Sequence, residues 1–385
     1  MKKNAYSSLL ILFGMLSICG ALFAADSATP DVFERHDPDS RLTIGYDDLD
    51  SLLGTVVLDT GMSTREIAKP SDANTGTRMK TSVSRATINE GNRFFFETFD
   101  TNQENQQILR DIRNRLENLP AATPLERFSR KEQLAYWINL YNITILDEIV
   151  KVYPRHNLKG LLVGRNAVLS KKTLNVAGVP LSLNDIQFTI LSHNYDNNSL
   201  IIYGLYQGII GGPNIRKSAY SGRNIYHELG DNAAEFINSN RGTQVKNERV
   251  FRVSSLYKRN EVFFNESGPD LTEHLLRYLE EPQRGELQAA TKIKKDISDW
   301  TITDLYGSYR EAAGSLANNS AALLGSVPGS KGSYLTSKAT KGRYSPAVTQ
   351  QLDELNEKRE SNEPDVIGVV TVEELEQVDG SGIED

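Results

Sequence analysis

From Ser129 to Pro154 the chain carries apolar side chains on every face of one helix-length segment, and a protein containing it must be built around it. Leu134, Ile138, Tyr141, Ile145 and Ile149 recur at three- and four-residue steps down one side, while Trp137, Leu140 and Leu146 make the other side apolar too. A helix with one apolar stripe lies on a surface; one apolar all round has to be enclosed. Ser129 and Glu132 have capping-box spacing, in which each side chain bonds the other's free backbone amide. The segment predicts a buried central helix.

Around it the pattern is mixed. Helical periodicity runs from Asp47 to Leu58, from Gln103 to Leu119 where Pro120 is expected to stop it, from Tyr226 to Ile237 and from Leu271 to Leu279. Gly91 to Phe99 holds four phenylalanines and reads as core. Lys172–Leu183 and Val245–Ser254 each offer two β-prone runs around a turn, at Ala177-Gly178 and Asn247-Glu248. Leu200–Ile210, a continuous apolar run entering a turn with Gly208, Gly211, Gly212 and Pro213, predicts a buried strand. These readings define an α+β fold: one compact mixed domain at residues 96–310, with a buried central helix and a small sheet. Residues 26–95 form an N-terminal helical extension with a polar loop between Met62 and Val83. Residues 311–385, rich in Gly, Ser, Asn and Lys and then strongly acidic, predict a disordered acidic tail, within which Val366–Val372 is a short run able to dock.

Residues 1–25 have the layout of an export signal: Lys2 and Lys3, an apolar run from Leu9 to Phe23, then Ala24 and Ala25 before Asp26. The run is shorter than the roughly 20 residues a membrane span needs, and no later stretch is long enough either. Cys19, the chain's one cysteine, lies inside this signal; Ile18 before it is a poor fit to a lipoprotein site. The mature chain is thus expected to be soluble, periplasmic or secreted, and free of both disulfides and thiol chemistry. Its formal charge of −7 becomes −9 without Lys2 and Lys3, a poor basis for nucleic-acid binding, which relies on cations against phosphate.

Catalytic signals are sparse. His36, His156, His193, His227 and His274 show no metal-ligand spacing, and there is no phosphate loop, dinucleotide fingerprint or nucleophile elbow. No metal or cofactor is expected. What stands out is Asn139 and Asn142, three apart on the central helix beside Tyr136 and Trp137. Buried amides must find partners, so the two either fasten neighbouring loops or line a pocket.

The run Ala135-Tyr136-Trp137-Ile138-Asn139-Leu140-Tyr141-Asn142 resembles the hallmark helix of the domain of unknown function 547 family. Pro180-Leu181-Ser182-Leu183-Asn184-Asp185-Ile186 is similar to a further family segment. So are Gly208 through Pro213 followed by Ala219-Tyr220-Ser221-Gly222, and Asp299-Trp300; together they cover about residues 125–305. Members usually carry histidine, a few apolar residues, cysteine-glycine, and a second cysteine just before proline. Here those positions hold Ile202, Gln207 and Gly212. If the pairing in the family denotes a thiol-based site, both nucleophile and histidine are gone.

The resulting expectation is an exported non-catalytic binding or structural module with a candidate cleft at Tyr136, Asn139, Asn142, Gln207, Gly208, Asn214 and Arg216. It would meet an unidentified protein or small-molecule ligand in the cell envelope. Two basic stretches, Arg216, Lys217 and Arg223, and Arg155, Lys159 and Arg165, would suit an acidic partner or simply be solvated loops. The alternative is a hydrolase-like enzyme with a replaced nucleophile in the same cleft, drawn from Ser218, Tyr220, Ser221 and His227. Nucleophile and base would then stand within hydrogen-bond reach.

Overall fold

Each helix expected from periodicity forms: α1 (Asp47–Val56), α2 (Gln103–Ala122), α3 (Arg130–Val150), α4 (Ile225–Ile237) and α5 (Leu271–Tyr278). The computed structural model describes residues 30–67, 86–100, 102–164, 166–196, 198–247, 249–264 and 270–305, with the backbone of 372–374. The export signal, most of the polar loop, Arg165 and the rest of the tail lie outside the described residues.

Helix α3 is the enclosed one: every residue except Arg130, Lys131 and Glu148 is buried. The capping box is only half formed. Ser129 Oγ accepts from the Glu132 amide at 3.3 Å, but the Glu132 carboxylate turns away and accepts from the amides of Ile44 at 2.9 Å and Gly222 at 3.1 Å. One buried side chain thereby ties three distant segments together. Burial pushes its carboxyl above the ordinary range, against the pull of the two amides.

Two expectations are corrected. Helix α2 does not stop at Pro120 but runs through it to Ala122. Proline has no N–H for the Leu116 carbonyl one turn back, and the Tyr136 hydroxyl takes its place, donating to that oxygen at 3.0 Å. The Leu200–Ile210 run is no strand; Ser199–Tyr203 is a 3-10 helix and the rest is irregular. A short apolar run fits a buried helical turn as well as a strand, and Asn198 decides it by accepting from the Leu200 amide at 3.0 Å.

Sheet content is small. β1 (Leu42–Ile44) and β2 (Val57–Leu58) belong to the N-terminal part, and β2 pairs antiparallel with β3 (Arg93–Phe94). β4 (Leu174–Val176) and β5 (Val179–Leu181) form the first expected hairpin, with Ala177 and Gly178 both at positive φ as a tight primed turn requires. β6 (Thr243–Asn247) and β7 (Val250–Ser254) form the second, and β8 (Lys292–Ile297) adds parallel to β7. β1 pairs antiparallel with β9 (Val372–Glu374), Leu42 opposite Glu374 and Ile44 opposite Val372. The fold is α+β. Its apolar core is continuous from the N-terminal part into the centre, as where the Phe33 ring meets Trp137 edge-on at 5.0 Å.

The last described stretch before the tail, residues 299–304, closes the centre. Thr301, Ile302 and Asp304 bridge to Asn157, Ile209 and Phe94, so residues 299–304 lie between three segments far apart in sequence.

Candidate functional site

Asn139 and Asn142 are both fully engaged with backbone. Asn139 Nδ2 donates to the Tyr220 carbonyl at 2.8 Å and its Oδ1 accepts from the Tyr220 amide at 2.9 Å. Asn142 does the same for the irregular segment, donating to Gly204 O at 2.9 Å and accepting from Tyr206 N at 2.9 Å. An amide side chain matches an isolated backbone N–H and C=O with one donor and one acceptor. The two asparagines thus replace, for non-helical backbone, the partners a strand would have supplied. A cavity of about 10 Å³ remains beside them, lined also by Arg216 and roofed by Leu49 and Leu53 of α1. That is room for one water at most.

The seven sequence-selected residues do not line one open cleft. Tyr136 is wholly buried and occupied with Leu116. Asn214 Oδ1 accepts from the Asn92 amide at 2.8 Å. Arg216 stacks over Tyr220 at 5.7 Å and pairs with Glu228 at 3.7 Å. Gly208, at φ +72°, sits where an added Cβ would meet Ile149 Cδ1 at 2.2 Å. The physical reason is the closing segment: the backbone that approaches the glycine turn is the chain's own. Gly211 N donates to Asp299 O at 2.9 Å, and a Cβ there would stand 2.6 Å from that oxygen.

Gln207 is buried, and its Oε1 accepts from Arg259 Nη2 at 3.2 Å. The Arg259 guanidinium lies 4.9 Å over the Trp300 ring. Burial pushes the neighbouring Tyr141 phenol up and the Arg259 guanidinium down. Ile202, where the resemblance places histidine, is buried in the apolar core. A Cβ built on Gly212 would stand 3.7 Å from Gln207 Cβ, close to the mean of about 3.8 Å across a disulfide. The two positions where the resemblance places cysteine therefore face each other.

The serines and histidine of the hydrolase alternative are not brought together. His227 points to solvent, its Nδ1 3.3 Å from Asp231, and Tyr220 is held by Asn139.

A different histidine is placed with care. His274 on α5 is buried; its Nδ1 lies 3.1 Å from Ser199 Oγ and its Nε2 2.8 Å from Tyr203 Oη. Tyr203 donates its proton to Tyr257 Oη at 3.1 Å, so Nε2–H must donate to Tyr203, leaving Nδ1 to accept from Ser199. Burial, with Arg277 adding to it, pushes this imidazole down to about 4. Ser199 and His274 form part of the wall of a polar cavity of about 850 Å³, with Arg130, Tyr195, Arg277 and Tyr278. Sequence reasoning missed this network: His274 is a lone histidine on an amphipathic helix, and only the neighbouring tyrosines hint that it is packed. Among the described residues no group of three His, Cys, Asp or Glu side chains is disposed to hold a metal, and no helix is long and apolar enough to cross a membrane.

Residues 125–237, under a third of the chain, match the family model described as "Protein of unknown function, DUF547". The match begins where the resemblance does and covers the hallmark helix, the 3-10 helix and the glycine turn; the closing segment lies beyond it. Neither the curated proteins nor the solved structures contain a match.

Proposed function

We propose that this chain is an exported, non-catalytic member of the family that serves as a binding or structural module in the cell envelope. The observation that supports it most is the fate of the cysteine position. Gln207 has neither an ionisable nor a basic atom, its amide oxygen is committed to Arg259, and the position for a base is Ile202 in the apolar core. The Ser199–His274 pair does not restore a catalyst. Its imidazole lies far below the pKa near 7 that suits a general base, and what stands behind it is a tyrosine rather than a carboxylate.

Labelling with a fluorophosphonate and with iodoacetamide tests the absence of an activated nucleophile: neither is expected to mark the mature chain. Stoichiometric modification of a single serine would overturn the reading. Export is tested by fractionation and N-terminal sequencing, with cleavage expected near Ala24 or Ala25. An unprocessed cytoplasmic chain would refute it, and lipid-modified Cys19 would refute the soluble form.

A further inference from the structure

The 850 Å³ cavity contains a charge that no carboxylate among the described residues answers. Arg130, first residue of α3, is positioned rather than loose. Its guanidinium lies 5.7 Å over the Tyr195 ring, and the Tyr195 hydroxyl donates to the Arg130 carbonyl at 3.0 Å. Yet Arg130 Nη1 is buried without a hydrogen-bond partner. Among the described residues no carboxylate comes within 4.0 Å of it. A desolvated guanidinium donor left without an acceptor is costly. Arg277, on the same cavity and beside Tyr278, also has no carboxylate partner among the described residues. The cavity's own carboxylates do not fill the gap: Glu34 faces His193 at 3.8 Å, and Asp196 is exposed.

We infer that this cavity binds a small polar molecule bearing a carboxylate or phosphate group, with the anion seated on Arg130 and Arg277 beside it. A guanidinium presents a planar fork of donors that matches either anion with two parallel hydrogen bonds. The volume falls in the range of roughly 300–1,000 Å³ typical of small-ligand sites. Asn194, Asn198, Tyr226 and Tyr278 supply hydrogen-bonding groups and ring faces for the uncharged remainder. The inference rests on the binding-module reading and names its ligand class. Failure to bind anions while the fluorophosphonate leaves the chain unmarked would remove the inference and keep that reading.

Isothermal titration calorimetry of the mature chain with citrate, inorganic phosphate and glucose 6-phosphate, and with uncharged glucose, tests it. Saturable binding of at least one anion is expected, weakening as salt rises and weaker by about tenfold or more in Arg130→Gln, the loss of one charge-assisted contact. Absence of binding by all three anions, equal affinity for glucose, or undiminished affinity in folded Arg130→Gln would overturn the proposal. Should Arg130→Gln fail to fold, Arg277→Gln, an exposed position, takes its place. A loss of about threefold or more is expected there on loss of that charge, and unchanged affinity would count against the site.

Discussion

Acid should destabilise this protein through His274. The residue is 1% exposed and is held at about 4, against an ordinary 6.5, by burial and then by Arg277. Between those two values the unfolded chain protonates its imidazole while the folded chain keeps it neutral. The unfolded state then binds more protons, so stability present above pH 6.5 is lost as pH falls toward 4. At about 1.36 kcal/mol per unit the full loss is about 3 kcal/mol, of which about 2 kcal/mol is felt at pH 5. Glu132, Asp50, Glu228 and Glu235 act the other way, because burial raises their carboxyls and the folded state holds protons there that the unfolded chain releases. The wild-type curve therefore mixes both signs. His274→Gln separates them: the amide still accepts from Ser199 and donates to Tyr203 but does not titrate. Urea denaturation of both proteins at about pH 7.5 and pH 5 is the assay, with the wild type expected to lose about 2 kcal/mol more than the variant. Equal losses would refute a neutral, buried imidazole.

The remaining predictions concern packing and pairing. Asn139→Ala should cost about 1–3 kcal/mol for each of the two Tyr220 backbone groups it strands, and Gln207→Ala should also cost about 1–3 kcal/mol by leaving the Arg259 guanidinium short of an acceptor; a neutral Gln207→Ala in chemical denaturation would mean that position is open after all. Tyr136→Phe should lower stability by about 1–3 kcal/mol, since the Leu116 carbonyl above Pro120 then has no donor; an unchanged denaturation midpoint would contradict that pairing. The double variant Gln207→Cys with Gly212→Cys should form an internal disulfide in air, read by mass spectrometry as a loss of about 2 Da; two free thiols would show that the positions do not face each other. Ending the chain at Thr371 removes β9 and should cost about 1–3 kcal/mol as the β1 backbone loses its ladder, whereas an unchanged melting temperature would show that the pairing contributes nothing.

Much of the fold could be read because its signals are local. The enclosure of α3 follows from apolar residues on all sides, and the hairpin at Ala177-Gly178 from a turn that only certain residues tolerate. Pro120 misled because the group that compensates it, Tyr136 Oη, lies on another helix. The Leu200–Ile210 run misled because Asn142, 62 residues before Gly204 and 64 before Tyr206, satisfies the irregular backbone that a strand would otherwise have explained. Asn139 and Asn142 were legible as residues with obligations, but whether they pin or line a pocket depends on Leu49, Leu53, Gly204, Tyr206 and Tyr220, none of which is near them in sequence. The cavity at Arg130 and His274 draws on five separate segments and has no motif at all.

The closing segment bears on the order in which this chain can fold. The carbonyls of His156 and Gly208 accept from the amides of Ile302 and Thr303, and the Phe94 and Ile210 amides donate to Thr303 and Thr301. Those groups all emerge from the ribosome before their partners exist. Until about residue 304 has been made, the hallmark helix, the glycine turn and the phenylalanine-rich segment can collapse together but leave a furrow of unpaired backbone between them. A fragment trimmed to the 125–237 span of the family match would be frozen at that stage, so the smallest autonomous unit has to extend through the closing segment.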